Sequence, residues 1–426
     1  MTESAFLTAV DQGDTDAVKN LLSSDAGLKR LSGERNALHR AAGYGHLGIV
    51  CELTKAGFNP LTASHTGRIP LHEACQGGHT SVVEELLKYG GVEIADCRGQ
   101  SPLHVAAYHG ESQCVQLLCA NSAQIAARDE NHRTPVHLAA IMNQSETIHW
   151  LLEYGADVDL PDIHGRTCSH YASTVADNSS LKTLLERGVD LQVRCLQGRL
   201  PLHYSVTTDR LCNLNLLLAQ HTKGSDRTNA TSLKQAKLNL MLTNDNMGKC
   251  LGHIAAQNGS INCLHWMLEQ GLDPNSTDSC QNTPLHAAAS KSQILAFSCL
   301  LYHGASQEAT NNKGETPMDV ARKVGSPFAM GKAVSGQKKC PKCKQKGLDQ
   351  EWETKNSPAD IMVAIESSKD LLFHAPSEPK VQKFAKGGGG GGGSEHSLSS
   401  STSSSTSLTF LPKRNMAAKF YGNFVN

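Results

Sequence analysis

Two sets of residues in this chain invite a chemical reading. Cys340 and Cys343 are separated by a Pro-Lys pair inside a lysine-rich run. Two intervening residues let both thiolates turn toward one ion, which is the spacing of a zinc half-site. A closed tetrahedral site needs two more ligands, no cysteine follows, and His374 and His396 are distant. No metal centre is therefore expected, and Cys340 and Cys343 are its only candidates from sequence. The second set is a series of histidines that close a recurring block: Asn36-Ala-Leu-His39, Ile69-Pro-Leu-His72, Ser101-Pro-Leu-His104, Thr134-Pro-Val-His137, Leu200-Pro-Leu-His203 and Thr283-Pro-Leu-His286. Degenerate copies end at His170, His253 and Asp319. Their position marks these histidines as turn-stabilising, with the Thr and His of each block exchanging hydrogen bonds with each other and with adjoining backbone. Neither a Gly-rich phosphate loop, a His-Glu-x-x-His pair nor a nucleophile elbow occurs. Catalysis is not expected, and no cofactor is expected.

The elements that carry the block follow from its period. Its third positions are Leu38, Leu71, Leu103, Val136, Ser169, Leu202, Gly252, Leu285 and Met318, in steps of 33, 32, 33, 33, 33, 50, 33 and 33 residues. Fixed self-similarity of this length is the mark of a stacked repeat. Within one period, Thr134 and Pro135 open a helix, since proline in the first turn lacks only a hydrogen that would be unpaired anyway. The Ala139-Ala140 pair lets neighbouring helices approach closely. A second helix ends at Leu151-Leu152, and Gly155 supplies a left-handed cap. A turn hairpin then leads into the next unit.

On these blocks, with Gly45-His46, Gly78-His79, Gly155-Ala156 and Gly304-Ala305, the chain resembles the ankyrin-repeat family. The resemblance implies an all-α solenoid of β-turn plus helix-turn-helix units over residues 1–326, some ten units with a capping unit at 5–24. It also implies a concave groove lined by hairpin tips and first helices, and a role in binding other proteins. The 50-residue step places an insertion at about 220–243. Ser169 and Gly252 stand where other units hold Leu, a substitution that costs about 2–5 kcal/mol when neighbours leave the gap unfilled. Residues 165–255 are accordingly expected to be the least stable part of the array.

Beyond the repeats, residues 327–357 form a basic segment with the Cys pair, 358–375 read as a short amphipathic helix, and 376–426 as a Gly/Ser-rich disordered tail. Formal net charge is zero, so nucleic acid is not the expected partner. No apolar run is long enough to span a bilayer. The N-terminal residues show neither a charged nor an apolar signal region, and the scattered cysteines suit buried thiols in the cytoplasm or nucleus.

The residue just before each block sits near a hairpin tip. Arg35, Arg68, Arg133, Arg166 and Arg199 fill that place, with Lys249 further on. Arginine presents a two-pronged fork to carboxylate or phosphate, so this row suits an extended acidic or phosphorylated segment of a partner protein. Tyr108, His109, Ile141 and Met142 follow Ala-Ala pairs and are expected to face the groove as anchors. The leading expectation is a non-enzymatic scaffold or adaptor. The alternative is a regulatory nucleic-acid- or zinc-binding protein acting through the Lys/Cys segment at 332–346.

Overall fold

The computed structural model describes residues 2–24, 37–222 and 230–325. Arg35, Cys340, Cys343 and the segments at 327–357, 358–375 and 376–426 lie outside the described residues. Among the described residues, all regular structure is helical. The helices come in pairs, from Thr2–Gln12 with Thr15–Ser24 in unit 1 to Pro284–Ser290 with Ile294–Tyr302 in unit 9. Pro317–Val324 begins a tenth unit. First helices pack on the first helices of neighbouring units, and second helices on second helices.

The small pairs Ala41-Ala42, Ala106-Ala107, Ala139-Ala140, Ala255-Ala256 and Ala288-Ala289 are fully buried or nearly so, which permits this close stacking. Each first helix starts where its sequence provides for it. In unit 5, Thr134 is extended, Pro135 occupies the first helical position, and the backbone N–H of Thr134 donates to Nδ1 of His137 over 3.1 Å. Since that N–H can only donate, Nδ1 must accept, and the ring proton resides on Nε2. From there it is donated to the Arg166 carbonyl of the next hairpin, 3.1 Å away. The same bridge recurs from His39 to Arg68, His72 to Gln100, His104 to Arg133, His170 to Arg199, His253 to Asn282 and His286 to Glu315.

Hairpin tips are joined as well. The N–H of Ile163 donates to the Asn131 carbonyl at 3.0 Å, that of Leu196 to His164 at 2.9 Å, and that of Asn246 to Gln197 at 2.9 Å. Gly165, at φ 73°, makes this approach possible, because a Cβ there would lie 3.0 Å from the Leu196 nitrogen.

The long step is built from two additions. In unit 7 the second helix runs on to Leu211–His221, and a further helix, Ala230–Met241, precedes the next hairpin. Met241 is fully buried, so the added segment reaches the core. His203 then bridges to the Thr243 carbonyl at 3.1 Å, 40 residues on instead of 28 or 29.

The expected gap at Gly252 is filled. A Cβ on this residue would sit 2.9 Å from Cδ2 of Leu272, which packs directly against the glycine. Ser169 is fully buried but satisfied, its hydroxyl 2.8 Å from that of Thr167. Restoring the repeat's usual residue by Gly252→Leu should therefore destabilise the protein by about 1–3 kcal/mol through overpacking. Adding Leu272→Ala should recover part of that loss. A double-mutant cycle in urea checks the coupling, and an additive result would show that Leu272 is not the filler.

The bridging imidazoles also set an acid limit. Burial pushes the pKa of His72, His137, His170 and His203 down to about 4 each. As pH falls below about 6.5 the unfolded chain takes up protons that the folded rings refuse, so stability is lost from there down to about pH 4. At pH 5 the loss amounts to about 2 kcal/mol for each ring. Urea midpoints should fall steeply between pH 7 and pH 5, and a flat profile would contradict buried neutral rings.

Candidate protein-interaction face

Hairpins and the ends of the first helices form the face on which the sequence placed a partner. Most hairpins are organised by a short polar side chain, Asp or Asn, that accepts their N–H groups. Asp129 accepts the N–H groups of Asn131 and Arg133 on one oxygen at 2.9 and 2.8 Å. Its other oxygen takes Nε and Nη2 of Arg133 at 2.8 and 2.7 Å. Asp162 repeats the arrangement with His164 and Arg166, and Tyr171 adds an O–H donor at 2.7 Å. The Arg166 guanidinium also lies 5.0 Å above the Tyr171 ring. Burial alone would raise the Asp162 pKa, but Arg166 and the tyrosine hydroxyl outweigh it and hold the carboxyl below its ordinary value.

Two hairpins carry Ser64 and Cys195 in the Asp position. Without a carboxylate of their own, Arg68 and Arg199 reach to Asp96 and Asp245 of the following hairpins, at 3.5 and 3.2 Å. Arg68 also donates to Gln76 at 2.6 Å, and Lys249 to Gln257 at 2.9 Å.

The expectation of a row of solvent-facing positive charge is corrected by this arrangement. Arg133 and Arg166 are buried, with only 1% of Arg166 exposed, and all four described arginines of the row share a carboxylate. The physical reason is local: the Asp that closes the turn has a second oxygen, four residues upstream of the guanidinium that neutralises it. Spacing alone, Asp129 to Arg133 and Asp162 to Arg166, carried this signal in the sequence.

The anchors differ in the same direction. Ile141 is buried, while Tyr108, His109 and Met142 are half-buried. Tyr108 and His109 stack edge to face, with centroids 5.1 Å apart. Sequence reasoning missed the apolar side chains that are exposed. Ile163, Leu196 and Met247 stand at three successive hairpin tips with 39%, 69% and 55% of their surface accessible. Their signal was the apolar residue directly after Asp162 and Cys195, where Glu130, Asn246 and Asn312 occupy the matching places in other units, and for Met247 the residue one place further on, where Asn131, His164 and Gln197 stand.

In unit 8 the hydroxyl–imidazole pair of other first helices becomes a thiol–imidazole pair. Cys250 replaces the usual Thr, and its sulfur lies 3.1 Å from Nδ1 of His253. Burial would raise this thiol, but the hydrogen bond to His253 reverses the effect and brings it to about 7. The group is buried and fills the structural role of the threonine hydroxyl.

Because Arg166 is a structural cation, reversing it should cost stability before it alters any binding. Arg166→Glu would leave two carboxylates in a dry site, and a loss of about 3–5 kcal/mol is expected. Chemical denaturation measures this directly. An unchanged midpoint would mean that the pair carries no structural load.

A family model of ankyrin repeats matches residues 6–96, 90–162 and 252–329, together more than half of the chain. The chain is 35% identical over 121 residues to the probable E3 ubiquitin-protein ligase XBOS32 of Oryza sativa subsp. japonica, covering 27% of this chain and 24% of that protein. Identity to the probable E3 ubiquitin-protein ligase XBOS33 of the same organism is 36% over 121 residues, 27% of this chain and 23% of the relative. The Homo sapiens transient receptor potential cation channel subfamily A member 1 is 30% identical over 115 residues, 26% of this chain and 10% of the channel. The chain thus spans about a quarter or less of the length of these relatives. With stacked helical pairs, bridging histidines and hairpins linked tip to tip, this chain belongs to the ankyrin-repeat family.

Proposed function

We propose that the chain is a non-enzymatic scaffold that holds a partner protein along its hairpin tips, centred on units 6 to 8. The observation that carries this reading is the exposure of Ile163, Leu196 and Met247 at consecutive tips. Apolar side chains clustered in water mark an interaction surface. The backbone bonds between tips hold them at fixed separation, so little ordering entropy is lost on binding. An extended segment with apolar side chains suits this strip. Half-buried Tyr108, His109 and Met142 extend the face toward unit 4, and Arg68 and Arg199 supply polar contacts at its margins for acidic groups on the partner. Buried Ile141, Arg133 and Arg166 support the face from below.

The ligase and channel names of the relatives describe those proteins, and about a quarter or less of each is shared with this chain. Among the described residues no helix is long and apolar enough to cross a membrane. Residence in the cytoplasm or nucleus belongs to this reading, supported by seven buried cysteines among the twelve described. The Lys/Cys segment at 332–346, on which a nucleic-acid or zinc role would rest, lies outside the described residues.

Affinity capture with mass spectrometry, run on the intact chain and on a variant with Ile163→Asp, Leu196→Asp and Met247→Asp, tests the proposal. These side chains are exposed, so the variant should fold. At least one partner should be lost, with affinity reduced by about 30-fold or more. An identical partner list from the folded variant would remove the tips as the recognition surface.

A further inference from the structure

The second helices of units 8 and 9, Ile261–Glu269 and Ile294–Tyr302, bring together three side chains that the scaffold reading leaves unused. They are His265 on the unit 8 helix, Cys299 on the unit 9 helix, and His303 just past the end of the latter. Cys299 and His303 are four residues apart and so share one helix face. One ligand atom from each of the three lies within 4.8 Å of the others. The His265 and His303 rings have centroids 5.5 Å apart. A fourth donor stands at the rim, where Oε1 of Glu269 is 3.2 Å from Nε2 of His265.

The same place between units 5 and 6 shows what this position accommodates. There His149 and Glu153 correspond to His265 and Glu269, while Thr183 and Arg187 correspond to Cys299 and His303. Arg187 pairs with Glu153, and its Nη2 lies 3.3 Å from Nδ1 of His149. A guanidinium therefore ties the two second helices together. Between units 8 and 9 the arginine is replaced by a histidine and the threonine by a cysteine. The exchange removes a fixed cation and supplies a nitrogen and a sulfur ligand in its place.

We infer that His265, Cys299 and His303 form a zinc site that staples unit 8 to unit 9, with Glu269 as fourth ligand. Zinc takes nitrogen, thiolate and carboxylate ligands in a tetrahedron, at about 2.0–2.3 Å. Such bond lengths set neighbouring ligand atoms about 3.3–3.6 Å apart. The Glu269–His265 separation of 3.2 Å falls just short of this range, and small side-chain rotations bring in all four atoms. One thiolate and one carboxylate balance the charge of the ion. Only about 12% of the His265 side chain is exposed, which shields the ion from bulk water, while the more exposed Glu269 leaves a route of entry.

The test uses the full chain carrying Cys340→Ser and Cys343→Ser, so that this pair cannot contribute, titrated with cobalt(II) as a spectroscopic substitute for zinc. One equivalent should bind and show thiolate-to-cobalt charge-transfer absorption that added zinc abolishes. His265→Gln and His303→Gln should each weaken zinc binding by about 100-fold or more while far-UV circular dichroism is unchanged. Cys299→Ser should eliminate the charge-transfer band. Should that buried substitution fail to fold, the two histidine variants decide. Absence of a thiolate–cobalt band in the parent, or binding unaffected by either histidine change, would overturn the site. So would binding present in the natural sequence and lost with Cys340 and Cys343.

Discussion

The structure depends on an imidazole that is a hydrogen-bond acceptor on one side and a donor on the other. Its acceptor nitrogen closes the start of its own first helix, as in Thr134 to His137. Its donor nitrogen holds the hairpin of the following unit, as in His137 to Arg166. Repeated from His39 to His286, the bridge makes each unit a precondition for the geometry of the next. In a stack whose units contact only their neighbours, such junction contacts set the cooperativity of the whole. Neutrality of the ring is part of the design. A proton on Nδ1 would face the N–H it normally accepts, in a buried site.

The hairpins obey a related constraint. A turn that exposes several N–H groups needs an acceptor, and where that acceptor is a buried carboxylate a cation beside it offsets the cost of burying its charge. Asp129 and Asp162 meet the first need and Arg133 and Arg166 the second. Ser64 and Cys195 show the rule by exception, because there the arginine turns to the next hairpin's aspartate. Most of the arginine charge on this face is therefore committed to the fold. On the proposed reading, selectivity follows from which tips carry an exposed apolar side chain.

The sequence made the repeat period legible because the bridge and the proline start must fall at fixed places in every unit. Hairpin positions, helix starts and the left-handed Gly155 were legible for the same reason. Side-chain orientation within the hairpin was not, since position near a tip does not reveal whether a long side chain points outward or folds back onto an aspartate. Gly252 shows a second limit. The volume of one position is set jointly with Leu272, twenty residues away, and a single column of the repeat cannot disclose such a trade. The helix Ala230–Met241 is a third case: the 50-residue step locates the insertion, but the burial of Met241 comes from tertiary contact.

Native-state hydrogen exchange on a His137→Leu variant tests the central claim most directly. Leucine fills the buried position while removing all the ring's hydrogen bonds. The account predicts lost protection in residues 134–141 and also across the junction, in the 162–166 hairpin and the first helix of unit 6. Protection lost in unit 5 alone, with the following hairpin unchanged, would contradict a fold whose units are tied together through their histidines.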